Sequence, residues 1–217
     1  MGEYFLGFSI SLIGLFLLFI NAIMSLLIRK KVNQKTFSYF SIYLLIMAII
    51  ELFCHVLGIL KPGSNIFISH FYFNFQFLII GIFFLQLFNK NTIVKNWILR
   101  IMLVVFLIIA LSYFFNNNLF WKFNLVEIGL TSTVLIGFIV YYLYVTMDKE
   151  NSYFHSFFGG LIMYLLSSSL IFLTGNEEYI IIKDPHYIDI WVFNSLFYIV
   201  FQIFVFREIQ FFRKKIK

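Results

Sequence analysis

Seven apolar runs, each about long enough to cross a lipid bilayer, constrain this chain more than any other feature of its sequence. A hydrocarbon core of about 30 Å requires about 20 predominantly apolar residues in a helix. Both prolines lie between the runs, so we expect helices without proline kinks. The runs cover residues 4–28, 38–60, 66–88, 98–115, 125–147, 157–174 and 191–212.

The composition indicates that lipid forms part of the environment of the whole chain. Hydrophobic residues make up 62% of it and charged residues 12%, whereas soluble domains contain about 25% charged residues. We therefore predict an all-α membrane protein, a single seven-transmembrane-helix bundle over residues 1–217. The net charge of +6 lies mainly in the loops, so we expect the bilayer as a partner and no nucleic acid.

The distribution of basic residues predicts the orientation of the bundle. Lys61, Lys122 and Lys183 are at one set of ends, and the other thirteen of the sixteen Lys and Arg residues are at the opposite set. Cytoplasmic loops carry the excess of such residues, so we predict an N-terminus outside and a C-terminus in the cytoplasm. The expected location is the inner membrane of a bacterial cell. Because basic residues follow the first run instead of preceding it, we expect a retained helix and not a signal peptide.

Polar side chains are concentrated in the predicted outer half of the bundle. Glu51 and His55 are four residues apart on the second run, as are His70 and Asn74 on the third, so each pair shares a helix face. Polar residues inside membrane helices are costly and often functional. The candidate ligand-binding residues are Glu51, His55, His70, Asn74, Glu127, Thr131, Ser168 and Asn194.

This pattern predicts a polar pocket that opens outward and binds a small molecule or lipid. The acidic loop at 175–190 is expected to form a short hairpin or lid over it. We expect the inner half to be almost purely apolar up to its basic ends. The alternative is that the same polar residues only form interhelical hydrogen bonds, which contribute about 0.6–2 kcal/mol each.

Three classes of function remain open. The first is a non-enzymatic sensor, a receptor-like protein or a partner-binding protein. The second is a metal-dependent intramembrane lipid hydrolase, with zinc held by Glu51, His55, His70 and Glu127. The third is a small transporter in which Glu51 carries protons. Retinal is not expected, because residues 191–206 contain no lysine for a Schiff base.

Two segments resemble a known family. They are AIIEL at 48–52, with an acid deep in the second helix, and the aromatic FYFNFQF at 71–77 in the third. The layout and these segments resemble the seven-helix N-terminal sensor region of bacterial histidine kinases. No kinase domain is expected here, so the resemblance implies a stand-alone sensor or accessory subunit. Its basic inner face at 29–35, 90–100 and 213–217 would bind a cytoplasmic protein.

Overall fold

The computed structural model describes residues 5–61, 66–148, 153–174, 180–182 and 188–216. Within these ranges it contains seven helices that are long and apolar enough to cross a membrane, as predicted. Their bounds are α1 Phe5–Val32, α2 Lys35–Leu60, α3 Ile66–Leu87, α4 Thr92–Phe115, α5 Leu125–Thr146, α6 His155–Leu173 and α7 Ile190–Ile216. A short 3-10 helix, Asn117–Trp121, joins α4 to α5.

Several helices extend beyond the apolar runs. α1 continues through Lys31 to Val32, and α7 continues to Ile216. α4 begins at Thr92, well before the predicted residue 98, with the Asn91 side chain accepting a hydrogen bond from the Val94 N–H at 3.2 Å. The predicted bounds stopped near the first charged residues. Lys and Arg are good helix formers, however, so the backbone stays helical beyond the apolar stretch.

Six of the helices form a closed ring. In the ring α1 packs on α2, α2 on α3, α3 on α5, α5 on α6, α6 on α7, and α7 on α1. α4 lies outside this ring against α3 and α5, and its buried residues are Ile98, Met102, Val105 and Ile109. The ring therefore encloses the core, and α4 is the peripheral helix.

The bundle has two chemically different ends. At the hairpin end, β1 (Ile180–Ile182) pairs antiparallel with β2 (Ile188–Asp189), which confirms the predicted hairpin. Residues 175–179 and 183–187 of the predicted lid lie outside the described residues. At the basic end, α1, α3, α5 and α7 terminate and α2, α4 and α6 begin. This is the end that carries Arg29–Lys31 and Arg213–Lys215.

Aromatic rings fill the core near the basic end, and apolar side chains cover the outside of the bundle. Phe16, Leu27, Phe114 and Phe115 are 65–79% exposed, which suits contact with lipid and would be unfavourable in water. The rings of the core cluster pack at centroid distances of 4.7–6.5 Å. Its members are Phe37, Phe40, Phe83, Phe84, Phe154, Phe157, Phe158 and Phe212.

The prediction of an almost purely apolar inner half is wrong. Ser25 and Ser41 are buried there, and each hydroxyl donates to a carbonyl of its own helix, at 2.8 and 3.0 Å. Such local bonds remove the cost of burying a hydroxyl. Thr146 and Glu208 are also buried in this half. Buried polar groups therefore occur along the full depth of the bundle.

Candidate functional site

The first polar centre joins α3, α4 and α5 at the hairpin end. Asn124 caps α5 by accepting from the backbone N–H groups of Val126 and Glu127, which places Glu127 in the first helical turn. The Asn124 amide also donates to Ser112 near the end of α4, at 3.0 Å. These bonds position the start of α5 beside the end of α4. His70, in the first turns of α3, completes the junction.

Glu127 is the central acceptor of this centre and is fully buried. Its Oε1 accepts from the Asn74 amide at 2.6 Å, and its Oε2 lies 2.9 Å from His70 Nδ1. The Tyr113 hydroxyl also donates to Oε2 and lies 2.7 Å from the same histidine nitrogen. A buried carboxylate is tolerated when each oxygen is hydrogen-bonded. The predicted residues His70, Asn74 and Glu127 are thus brought together.

The hydrogen bonds of His70 link the 3-10 helix to the carboxylate. Its Nε2 lies 3.2 Å from the carbonyl oxygen of Phe120 in the 3-10 helix, and a carbonyl can only accept, so Nε2 is the donor. On the other side, Nδ1 is within hydrogen-bond distance of both the Glu127 carboxylate and the Tyr113 hydroxyl. Imidazole, carboxylate and phenol can each hold a proton, so these three side chains form one connected network of ionisable groups.

Aromatic rings cover this centre on the side of the 3-10 helix. The Phe120 ring stacks on His70 with centroids 5.7 Å apart, and Phe67 stacks on Phe120 at 6.0 Å. Trp121 packs edge-on against both phenylalanines and is itself exposed. Phe120 thus contacts both His70 and the exposed Trp121, so a change at His70 can reach the surface through one intervening residue.

The second polar centre lies between α1 and α2. His55 Nε2 lies 3.2 Å from the Ser11 hydroxyl, and His55 Nδ1 lies 2.8 Å from the Glu51 carbonyl and 3.7 Å from the Glu51 carboxylate. Both side chains are partly buried. The hydrogen bonds of the described residues do not connect this centre to Glu127. The single pocket predicted from the sequence is thus replaced by two separate centres.

A group of buried tyrosines lies inside the ring of helices. Tyr43, Tyr72, Tyr164 and Tyr198 are all buried. The Tyr72 and Tyr164 hydroxyls are 3.0 Å apart. Ser168 is buried four residues after Tyr164 on α6, so this predicted site residue shares a helix face with the tyrosine group.

A buried amide pair lies near the middle of the bundle. The Asn21 amide donates to the backbone carbonyl of Gln202 at 2.9 Å and to its side-chain oxygen at 3.0 Å. Among the described residues, Gln202 Nε2 has no hydrogen-bond partner. The pair therefore joins α1 to α7 and leaves one buried amide nitrogen unpaired there.

The remaining predicted residues have local roles or stand apart. The Thr131 hydroxyl donates to the backbone carbonyl of Glu127 at 2.7 Å, so its hydrogen bond stays within α5. Asn194 has a buried side-chain oxygen without a hydrogen-bond partner. The predicted zinc ligands form two pairs, Glu51 with His55 and His70 with Glu127. In the part of the chain that the structure describes, no three His, Cys, Asp or Glu residues lie close enough to hold a metal ion.

Sequence reasoning missed Tyr113 and Glu208. Tyr113 lies within the apolar run at 98–115. The only sequence sign that it belongs to the polar centre is that it lies close to Asn116, where α4 ends. Glu208 follows Arg207 near the basic end of α7, yet it is 2% exposed. Its carboxylate accepts from the backbone N–H groups of Phe154 at 2.8 Å and Phe157 at 3.3 Å, and so caps the N-terminus of α6.

No family model, curated protein or solved structure matches this chain. The resemblance to the sensor regions of histidine kinases stays a prediction. The geometry of the two polar centres is therefore the basis on which a function can be proposed.

Proposed function

We propose that this protein is a non-enzymatic membrane sensor whose receptive element is the cluster of His70, Asn74, Tyr113 and Glu127. The observation that carries the proposal is the hydrogen-bonded pair of His70 and Glu127, held at one point by groups from α3, α4, α5 and the 3-10 helix. A change in the protonation of this pair would alter contacts of four segments together. Such a coupled change is what a two-state switch requires.

The stimulus that fits this cluster is a proton, or a small polar molecule that competes for the Glu127 carboxylate. Histidine changes charge near neutral pH in its ordinary environment. The cluster is one to two turns from the hairpin end of α3 and in the first turn of α5. A stimulus would therefore reach it from that side, which we propose faces outward in a bacterial inner membrane because the opposite end is the basic one.

The proposed output is a cytoplasmic partner protein that binds the basic end. Lys31 and Arg213–Lys215 supply cations in the last turns of α1 and α7. Complementary charge accelerates and orients protein association. The partner would carry acidic residues on the matching surface.

Tryptophan fluorescence tests the receptive element. The chain has three tryptophans, and Trp97→Phe together with Trp191→Phe leaves Trp121 as the reporter beside Phe120. We expect its emission to differ between acidic and alkaline solution, because a change in the protonation of the cluster alters the hydrogen bonds next to it. Glu127→Gln should diminish the difference, since an amide oxygen does not take up a proton at ordinary pH.

The matched control is Asp148→Asn, which removes one carboxylate at the exposed opposite end of α5. It should leave the fluorescence titration unchanged. A flat titration in the parent protein, or the same titration in Glu127→Gln, would overturn the proposal.

A proton-coupled transporter is the second candidate, and the buried Asn21–Gln202 pair near the middle of the bundle favours it. Within the described residues, one amide nitrogen of this pair has no hydrogen-bond partner, and Glu51 is the candidate proton carrier. Proteoliposomes with an entrapped pH-sensitive dye would show proton entry driven by an imposed gradient. Loss of that flux in Glu51→Gln, but not in Asp148→Asn, would favour transport over sensing.

A further inference from the structure

A cleft of about 210 Å³ lies at the basic end, between the last turn of α1 and the first turn of α2. Asn33 has a left-handed φ of 46°, so the chain reverses within two residues and brings the two helix ends together. Neither of the polar centres described above contributes to this cleft. It is lined by Arg29, Lys30, Asn33, Gln34, Lys35 and Ser38.

The three cations of the cleft are not neutralised within the described part of the chain. Neither Lys30 nor Lys35 nor Arg29 forms an ion pair with a carboxylate there. Lys30 and Lys35 are exposed, and no acidic residue lies in the first turn of α2. The cleft therefore has a concentrated positive charge that attracts an anion.

Hydrogen-bond donors in the cleft are already positioned. Arg29 Nε donates to the Ser38 hydroxyl at 3.1 Å, which fixes the guanidinium, and within the described residues its two terminal nitrogens form no hydrogen bond. Gln34, at the N-cap of α2, makes no side-chain capping bond. The backbone N–H groups of the first turn thus lack a side-chain acceptor, and such groups favour phosphate. Arginine suits the geometry of phosphate oxygens.

The position of the cleft distinguishes a lipid from a free ion. α1 has 28 residues and is about 42 Å long at 1.5 Å per residue, which exceeds a hydrocarbon core of about 30 Å. The charged last turn therefore lies at headgroup level. Directly below it, Ile23 and Leu27 of α1 and Leu45 and Ile49 of α2 are exposed apolar residues that can contact acyl chains.

We propose that this cleft binds the phosphate headgroup of an anionic lipid. Arg29, Lys30 and Lys35 neutralise the phosphate, the first turn of α2 donates to its oxygens, and the acyl chains lie along the exposed faces of α1 and α2. The site is independent of the proposed sensing centre, which lies at the opposite end of the bundle.

Native mass spectrometry of the purified full chain tests the site, with phosphatidylglycerol and phosphatidylcholine as probes. We expect one phosphatidylglycerol to be retained in preference to phosphatidylcholine. Lys30→Gln with Lys35→Gln should lower that affinity about fivefold for each lysine, or about 25-fold together. Both lysines are exposed, so the double variant should fold normally.

The control is Lys90→Gln with Lys95→Gln, which removes the same charge at the basic end outside the cleft. Its phosphatidylglycerol affinity should equal that of the parent protein. Equal retention of the two lipids, or an equal loss in both double variants, would overturn the site. Displacement of the lipid by inorganic phosphate alone would overturn the assignment to lipid, because it would show that the acyl chains add nothing.

Discussion

Glu127 and Glu208 are both buried carboxylates, one near each end of the bundle, but their partners differ in kind. Glu208 accepts from backbone N–H groups at the start of α6, and backbone amides exchange no charge at ordinary pH. Glu127 is hydrogen-bonded to the side chains of His70, Asn74 and Tyr113, and the imidazole of His70 is an ionisable partner. The first arrangement fixes a helix end, and the second can switch. A buried acid is therefore evidence of function only when its partners are known.

Removing the Glu208 carboxylate should give the largest loss of stability. Glu208→Ala leaves two buried N–H donors of α6 without an acceptor, and we expect a loss of about 3 kcal/mol in the free energy of unfolding. Unfolding in detergent, followed by circular dichroism, measures it. The adjacent exposed Arg207→Gln should stay within about 0.5 kcal/mol. If Glu208→Ala also lost no more than about 0.5 kcal/mol, Glu208 would not have the structural role that distinguishes it from Glu127.

Packing between α6 and α7 should give the next largest effect. A Cβ on Gly160 would lie 2.5 Å from the Cβ of Phe204, whereas one on Gly159 has nothing within 4 Å. We expect Gly160→Ala to lose about 2 kcal/mol because the helices must separate. Gly159→Ala should be neutral or gain about 0.5–1 kcal/mol from helix propensity. Equal effects of the two substitutions in the same unfolding assay would show that this interface is not tightly packed.

Glu127→Gln should cost less than loss of the Glu208 cap. The amide keeps one acceptor oxygen for Asn74 or Tyr113, so we expect a loss of about 1.5 kcal/mol. The diagnostic result is an unfolding free energy that depends less on pH than that of the parent protein. A loss as large as that of Glu208→Ala, with the pH dependence intact, would assign Glu127 a purely structural role.

Tyr113→Phe should give the smallest effect and sharpen the role of α4. The substitution removes the hydroxyl that contacts Glu127 and His70 but keeps the edge-to-face packing on His70, whose ring centroid is 5.5 Å away. We expect a loss of about 1 kcal/mol and a shifted Trp121 titration. Tyr144→Phe, at a 77% exposed position, is the control for both measurements. An unshifted titration would remove Tyr113 from the receptive element.

The helices were predictable because apolar length and helix spacing are local properties of the sequence. The pairing of His70 with Asn74 on one face follows from their spacing of four residues, and both do contact Glu127. The separation of His55 from Glu127 was not predictable. It depends on the order of helices around the ring, because His55 is held by Ser11 of α1.

Glu208 shows a second limit of sequence reasoning. Positioned among Arg207 and Arg213 near the end of an apolar run, it has the sequence context of a solvated charge. Its burial depends on the close packing of α6 against α7 and on the left-handed Phe154, with φ of 66°, which directs the start of α6 toward it. Neither feature has a local signal in the sequence.

The peripheral position of α4 has a mechanical consequence. This helix is outside the ring, yet it contributes Tyr113 to the cluster at one end and carries Lys95 and Arg100 near the other. Tyr113 and Lys95 are separated by about 27 Å along the helix at 1.5 Å per residue. Rotation or sliding of α4 as a rod would therefore convey an event at the hairpin end across the hydrocarbon core without any rearrangement of the other six helices.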